Sequence, residues 1–558
     1  MSDKNGASNN NSDKKNGKST NGKKAQGKKT DNNNGKADGK NGKADTRKGT
    51  AEEGESLLSQ VIHISIIVVL TAILISLWNT YQEQLEKRRQ CLNPDHYETT
   101  ARNASKEDAN GRPVVWLYGD ADVPKWLDLV TVFNDMGYIC GGPGNEWDVL
   151  WTHHAPFAKP LDLKNVVNSM EGHQKVNHFP GTKCITEEVL DSSISKYIPS
   201  TFVMPRQKAD FLKESKKPNK VWIEQKNGAS MVKDVNDLDL STEGTVIQEY
   251  IANPYLIGNR KFDITVYVQL TSVDPLRVYL LDTDWALRVA PQEYNPIDYS
   301  KPEQYITDSY VTPITAIPEL KKLHIDMKHN TKQSVYAQLK FFDNKDPDTI
   351  DGQIMEAVRD VFVAKRDELR KALQGYIRPN LFFELFKFDF ALDENLKVHL
   401  LKADTLPSDI VSELADKNEE HKEIYKQALY AGLSLTGVAG VVPNSRNHSA
   451  EDVLAMKVRD CDIQAATDRC HLPICETCGK QECVLCYQCT TEDERFMMKE
   501  AYLEHVNRHL TRRIYPERMT QEEAKNYDYH KDDHLAPRDR LIREWFRGKC
   551  VEEAYWCS

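Results

Sequence analysis

The chain has 558 residues, 39% of them apolar, and a formal net charge of −10, and this length leaves room for about three or four folded units. The charge is uneven, because residues 1–50 carry 13 Lys and Arg against 5 Asp and leave −18 for the remainder. Residues 1–55 hold almost nothing apolar, which predicts a disordered Lys/Asn/Gly-rich tail. A tail that binds nucleic acid or lipid is the alternative. No aromatic residue interleaves the lysines, so we expect no nucleic-acid partner.

The next feature is a long apolar run from Leu57 to Trp78, which contains no Lys, Arg, Asp or Glu. At ~1.5 Å per residue this run is long enough to cross the hydrocarbon core of a bilayer. Trp78 and Tyr81 stand where interfacial aromatic residues belong. The run begins too far into the chain for a cleaved signal peptide. It predicts a single transmembrane helix, with a buried core helix as the alternative.

The orientation of this helix depends on the basic residues around it. Lys and Arg near the span are balanced, but the whole Lys-rich tail favours a cytoplasmic N-terminus. The domain after residue 82 would then be lumenal or extracellular, and the opposite orientation stays open. Two glycosylation sequons, which begin at Asn103 and Asn447, and an even count of 12 cysteines fit that side of the membrane.

Downstream, 82–110 is polar and predicts a stalk, and apolar runs at 114–118 and 147–151 predict buried strands. A helical pattern covers 161–170. Between about 176 and 440, strand-like segments alternate with helical ones, which predicts an α/β or α+β domain over 112–440. The expected strands are 220–223, 245–251, 261–271 and 277–281. A helix over 351–375 is expected from the three- and four-residue spacing of Ile354, Val358, Val361, Phe362, Leu369 and Leu373.

Two further strands, at 382–393 and 398–404, alternate apolar and polar residues around a turn at 393–395. Asp389 and Asp404 stand near the ends of these strands. Neighbouring strands would bring both carboxylates into one space, and oxygen ligands of this kind suit a divalent cation.

Several motifs occur in a fixed order between 176 and 404. They are VNHFPG at 176–181, TFVMP at 201–205, QEYI at 248–251, PYL at 254–256, KFD at 261–263, Arg288 and Asp389. In this combination the chain resembles the tubulin tyrosine ligase-like family over 112–440, about 60% of its length. The resemblance implies an α+β, ATP-grasp-like fold that holds ATP and Mg²⁺. It also implies transfer of an amino acid, as in a tubulin polyglutamylase, to a carboxylate of tubulin through an acyl-phosphate.

The resemblance also implies roles for individual residues. Arg288 and Lys261 would be catalytic, and Asp389 and Asp404 would bind the metal. The residues implied in cofactor binding are Lys226, Gln248, Tyr250, Ile251, Lys261 and Asp263.

Four positions depart from the family pattern. Gln225 stands where "WIxKP" has its Lys, Thr265 where "KFDxR" has its Arg, Asp308 where "TN" has its Asn, and Lys402 where "LLExN" has its Glu. Lys402 reverses a charge where Mg²⁺ needs an oxygen ligand, and it could instead pair with Asp389 or Asp404. Two hypotheses follow. The chain is a membrane-anchored glutamate ligase with a degenerate site, or an inactive lumenal scaffold that binds a protein partner.

The C-terminal region, 450–558, is rich in cysteine and in basic residues. Overlapping CxxC pairs between Cys461 and Cys489 are typical of either a disulfide-stapled loop or a zinc site. Basic residues from Lys499 to Arg518 follow a helical pattern. They could contact the acidic tails of tubulin, or form a solvated helix face that Glu500, Glu504 and Glu517 balance.

Overall fold

The computed structural model describes residues 63–82, 112–119, 123–142, 147–157, 163–186, 192–225, 229–295, 300–307, 313–406, 418–438, 460–465 and 470–558. The predictions for the N-terminal tail, for 83–110, for both sequons (Asn103 and Asn447), for Lys226 and for Asp308 lie outside these residues.

The first described element is helix α1, His63–Gln82. Its most apolar stretch has a mean hydropathy of 2.0, and its side chains are exposed. It is long and apolar enough to cross a membrane, although length and composition alone are weak evidence. All but its last two residues belong to the first of two units, 1–80, and the second unit is 81–558.

The second unit begins with a four-stranded parallel sheet of order β2-β1-β3-β4. The strands are β1 Val114–Tyr118, β2 Ile139–Gly141, β3 Val149–Thr152 and β4 Lys175–Val176, and helix α2, Val123–Asp135, lies between β1 and β2. Trp151 of β3 packs edge-on against Phe133 of α2, with ring centroids 6.0 Å apart. The strands at 114–118 and 147–151 are therefore confirmed as buried strands, apart from small shifts at their ends.

A second, antiparallel sheet has the order β5-β8-β6-β7. Its strands are β5 Thr201–Val203, β6 Val221–Gln225, β7 Ala229–Met231 and β8 Val246–Tyr250. Phe211, Trp222 and Ile247 form a small core of their own beneath this sheet.

The main sheet is antiparallel, with the order β13-β12-β10-β11-β14 and with β9 paired to β10. Its strands are β9 Leu256–Ile257, β10 Arg260–Val273, β11 Leu276–Val289, β12 Glu384–Leu392, β13 Val398–Thr405 and β14 Thr511–Tyr515. Helix Ile350–Ala372 packs on this sheet through its apolar face, and all six apolar positions that predicted it are buried.

The remaining helices surround the three sheets and contribute to a mixed α+β architecture. In chain order they are α3 Lys164–Asn168, α4 Lys183–Thr186, α5 Lys208–Glu214, α6 Pro318–Ile325, α7 Thr331–Ala337, α8 Ile350–Ala372, α9 Glu419–Leu435, α10 Asp460–Ile463, α11 Glu492–Val506, α12 Gln521–Lys525 and α13 Pro537–Glu552.

The predicted basic helix over 499–518 is wrong in its second half. Helix α11 ends at Val506, and β14 follows and pairs with β11. The basic side chains there mostly make internal contacts: Arg512 pairs with Asp282 at 2.9 Å, and Arg513 is buried with its guanidinium 3.8 Å from the centroid of the Phe546 ring. The C-terminal region therefore supplies an edge strand of the main sheet.

Eight cysteines between residues 470 and 557 form disulfides, as one of the two hypotheses predicted. The pairs are Cys470–Cys486, Cys475–Cys483, Cys478–Cys489 and Cys550–Cys557. Thiols that are paired in this way are not available as zinc ligands. In the described part of the chain, no cluster of three His, Cys, Asp or Glu residues could hold a metal ion.

Candidate functional site

A cavity of about 410 Å³ lies between the β5–β8 sheet and the main sheet. Strands β6 and β8 form one wall, strands β10 to β13 form the other, and the segment 305–307 completes the lining. Seven of the residues singled out from the sequence line this cavity together. They are Gln248, Tyr250, Ile251, Lys261, Asp263, Arg288 and Asp389. The altered positions Gln225 and Lys402 line it as well.

One end of the cavity is formed by β8. Gln248 donates a hydrogen bond from Nε2 to Thr201 Oγ1 at 3.1 Å, and Tyr250 donates from Oη to the Tyr305 carbonyl at 3.3 Å. Burial raises the pKa of the Tyr250 phenol, which stays protonated and a donor. With Ile223 and Ile251 this end combines apolar walls and few polar groups, as ligand pockets do. We refer to it as the β8 end.

Strand β10 supplies the middle of the cavity. Alternate residues on a strand face the same side, so Lys261, Asp263 and Thr265 point together towards the cavity floor. Lys261 Nζ lies 2.8 Å from Asp263 Oδ1, and both side chains are buried. Thr307 Oγ1 donates to the other oxygen of Asp263. Lys261 therefore has a fixed position at the centre of the lining.

The other end contains Asp389, which is 1% exposed. Its Oδ2 lies 3.0 Å from Arg288 Nη2 and 3.1 Å from Lys387 Nζ, and its Oδ1 accepts a hydrogen bond from Thr265 Oγ1 at 2.6 Å. Burial raises the pKa of Asp389, but Arg288 and Lys387 outweigh burial and hold it at about 2. Asp389 is therefore a carboxylate that is neutralised by side chains of the protein itself.

The neighbouring strand β13 places an opposite charge beside each of the two charged residues of β12. Lys387 is the register partner of Asp404, and Asp389 is the register partner of Lys402. Asp404 Oδ2 lies 3.1 Å from Lys402 Nζ and 3.4 Å from Lys387 Nζ. Two lysines and two aspartates thus alternate on adjacent strands, and we call these four side chains the β12–β13 quartet. The quartet agrees with the predicted pairing of Lys402 with Asp404.

Lys387 was not recognised as a site residue from the sequence. It is 3% exposed at the centre of a strand whose nine residues are all buried. The signal was present, because a single Lys two positions before Asp389 must share its face of the strand. A buried ammonium group needs a partner, and the nearest acidic side chains are those of the proposed metal site.

In this structure the quartet is arranged as ion pairs, and Oδ2 of Asp389 and Oδ2 of Asp404 are both buried without a hydrogen-bond donor. Mg²⁺ requires near-octahedral oxygen ligands at about 2.0–2.1 Å, whereas Oδ2 of each aspartate here contacts two protein cations. A divalent ion about 4 Å from an ammonium group would be repelled by about 2 kcal/mol in water and about 8 kcal/mol at an effective dielectric constant of 20. This geometry therefore favours ion pairing for Asp389 and Asp404, and their assignment as metal ligands stays a prediction.

The comparisons with known proteins agree with this fold and cleft. Residues 166–447 match the model of the tubulin-tyrosine ligase family. The chain is 30% identical to the probable tubulin polyglutamylase ttll-15 of Caenorhabditis elegans, over 81% of this chain and 90% of that protein. It is 27% identical to the human tubulin monoglutamylase TTLL4 and 25% identical to the human tubulin polyglutamylase TTLL7, over 56% and 50% of this chain.

The chain therefore belongs to the tubulin-tyrosine ligase family, and within it to the polyglutamylase branch. It spans nearly the whole worm protein but only 26% and 34% of the two human proteins.

Proposed function

We propose that this chain is a membrane-anchored member of the family that retains an ATP-grasp-like nucleotide cleft but has lost, or nearly lost, glutamate transfer to tubulin. The observation that carries the proposal is the position of Lys387, whose ammonium group contacts both Asp389 and Asp404. Protein cations neutralise the two carboxylates that are expected to hold Mg²⁺. A metal ion would therefore lack the ligands that fix it beside the phosphates.

The β8 end supports the nucleotide part of the proposal. Family ligases depend on ATP, and Gln248, Tyr250, Ile251 and Lys261 lie where the family resemblance implies nucleotide contacts. Arg288 would face a substrate in an active ligase, but here it contacts Asp389. A protein that only binds the nucleotide needs the nucleotide-contacting residues, and it does not need an arginine that faces a substrate.

An active tubulin polyglutamylase is the second candidate, and a specific observation favours it. The worm relative, a probable tubulin polyglutamylase, aligns with this chain over nine-tenths of its length. In this case Lys261 and Arg288 would act on phosphate and substrate, and tubulin would be the partner. The Mg²⁺ ligands would then have to come from a rearranged β12–β13 quartet.

The side of the membrane on which the domain lies separates the two candidates further. Four disulfides between residues 470 and 557 support an oxidising compartment, lumenal or extracellular. Tubulin is cytosolic, so a lumenal domain favours the hypothesis of a binding protein whose partner is also lumenal. The opposite orientation would favour tubulin as the substrate.

Incorporation of labelled glutamate into tubulin tests the proposal directly. The full chain, purified in detergent, is incubated with ATP, Mg²⁺ and tubulin beside human TTLL7 as a positive control. We expect no incorporation above that of a Lys261→Ala variant. Sustained incorporation that Lys261→Ala abolishes would establish the ligase instead.

Glycosidase treatment tests the proposed orientation. A lumenal domain predicts that the expressed protein shifts on a gel after endoglycosidase treatment and that the Asn103→Gln, Asn447→Gln variant does not. Protease added to sealed microsomes should leave the domain intact. Digestion of the domain, without any glycosidase shift, would place it in the cytoplasm.

A further inference from the structure

The floor of the cleft holds more cationic than anionic side chains. The cations are Lys261, Arg288, Lys387 and Lys402, and the carboxylates that they contact are Asp263, Asp389 and Asp404. One more carboxylate of the lining, Glu249, is paired with Lys220, and this pair adds no net charge. The excess of one positive charge belongs to the protein itself, so it is present whether or not a metal ion is. A positively charged floor beneath an open cavity attracts anionic ligands.

We infer that this cleft binds a phosphate-bearing nucleotide without a divalent cation, and that Lys387 and Lys402 supply the charge that magnesium supplies in a metal-dependent site. The inference rests on the proposed function and adds to it the form in which the ligand binds. Magnesium normally screens the phosphates from carboxylates around them. Here Lys387 screens Asp389 and Asp404 from beneath, at 3.1 Å and 3.4 Å.

The two lysines have different positions and therefore different roles. Lys387 is 3% exposed and stays between the aspartates, where it removes the repulsion that two bare carboxylates would exert on a phosphate. The side chain of Lys402 is 43% exposed and lines the cavity, and its ammonium group is paired with Asp404. Its ammonium group can turn from Asp404 to a phosphate oxygen, because an exposed ion pair costs little to exchange.

The shape of the cavity favours a nucleotide over a bare anion. Its volume of about 410 Å³ is within the range of small-molecule sites. Ile223, Tyr250 and Ile251 provide largely apolar lining at the β8 end, which suits a base. Lys261 Nζ is 5.8 Å from the centroid of the Tyr250 ring, so this cation lies beside the apolar lining and is available to the phosphates of the same ligand.

Calorimetric titration of the full chain in detergent with ADP, once with excess Mg²⁺ and once with excess EDTA, tests the inference. We expect the Kd to differ by less than about twofold between the two conditions. Lys402→Ala should weaken ADP binding in EDTA by about tenfold, the effect of losing one charged hydrogen bond. Lys397→Ala is the matched control, because Lys397 is exposed on the same hairpin but does not line the cavity.

Thermal melts should show the same folding for both variants, because Lys402 lies at the surface end of the quartet. ADP binding that requires Mg²⁺ would overturn the inference. So would equal affinities in Lys402→Ala and Lys397→Ala, or no saturable binding in either buffer. The first two results would leave the nucleotide cleft of the proposed function intact, whereas the absence of saturable binding would remove the nucleotide part of both proposals. Glutamate incorporation into tubulin is measured separately, and only its presence would overturn the loss of ligase activity.

Discussion

The two ends of the cleft differ in how far they follow the family pattern. At the β8 end, Gln248, Tyr250 and Ile251 keep the family motif and line the cavity, and Gln225 on the paired strand β6 is the one departure there. At the β12–β13 end, the carboxylate Asp389 is retained but Lys402 replaces a Glu, and the side chains form the ion pairs of the β12–β13 quartet. The comparison shows that a charge reversal at the centre of a site is compatible with the fold when a neighbouring strand provides the opposite charge.

The largest effect is expected from removing the shared carboxylate of the quartet. Asp389→Ala leaves Arg288 and Lys387 buried without their main partner, and breaking a buried ion pair costs about 3–5 kcal/mol. Denaturant unfolding of the full chain should show this loss. Asp326→Ala is the control, because Asp326 is exposed at the end of α6 and should change stability by less than about 0.5 kcal/mol.

A loss close to that of the control would contradict the ion-pair description of this end. Carboxylates that are held apart for a metal repel one another, so removing one of them from the metal-free protein would then stabilise the fold or leave it unchanged.

The sequence predicted the two halves of the cleft unequally, for a physical reason. Alternation of apolar and polar residues was enough to find β12 and β13 and to bring Asp389 near Asp404. The contacts of Lys387 depend on cross-strand register, which no single strand reveals. The same limit applies to β14: the spacing of basic residues suggested a helix, while pairing with β11, more than 200 residues earlier, decided the structure.

The second effect concerns pH and His421, a residue of α9, which packs on β11 beside Arg288. His421 Nε2 donates a hydrogen bond to the Leu287 carbonyl at 2.9 Å. Burial, with a smaller contribution from the nearby Arg288, lowers the pKa of His421 to about 4, although the hydrogen bond to Leu287 acts in the opposite direction. The folded-state pKa is below the unfolded value of 6.5, so the unfolded chain takes up the proton first.

The stability that the neutral His421 contributes is therefore complete above pH 6.5 and is lost as the pH falls towards 4. The loss is about 3 kcal/mol at most. Free energies of unfolding, measured between pH 7 and pH 4, should fall less steeply in His421→Gln, which keeps a donor for the carbonyl but does not titrate. His509→Gln, at an exposed position, is the control and should keep the slope of the parent protein.

The smallest effect is the most specific test of the difference between the two ends, because it attempts to convert one into a metal site. Lys402→Glu with Asp404→Asn restores the family pattern on β13, but Lys387 would still contact Asp389 Oδ2. We therefore expect ADP binding by this double variant to remain insensitive to Mg²⁺. Adding Lys387→Gln removes the ammonium group that contacts Asp389 and changes the charge of the floor from +1 to −1, which a divalent cation then offsets. In this triple variant, Mg²⁺ should tighten ADP binding by about tenfold, or about 1.4 kcal/mol, in the same calorimetric titration.

Lys387→Gln alone is the control, and it should leave binding insensitive to Mg²⁺ because Lys402 still stands where the family pattern has its Glu. Magnesium dependence in the double variant would show that Lys387 does not block the site. No dependence in a folded triple variant would mean that other groups, outside the quartet, keep the metal away.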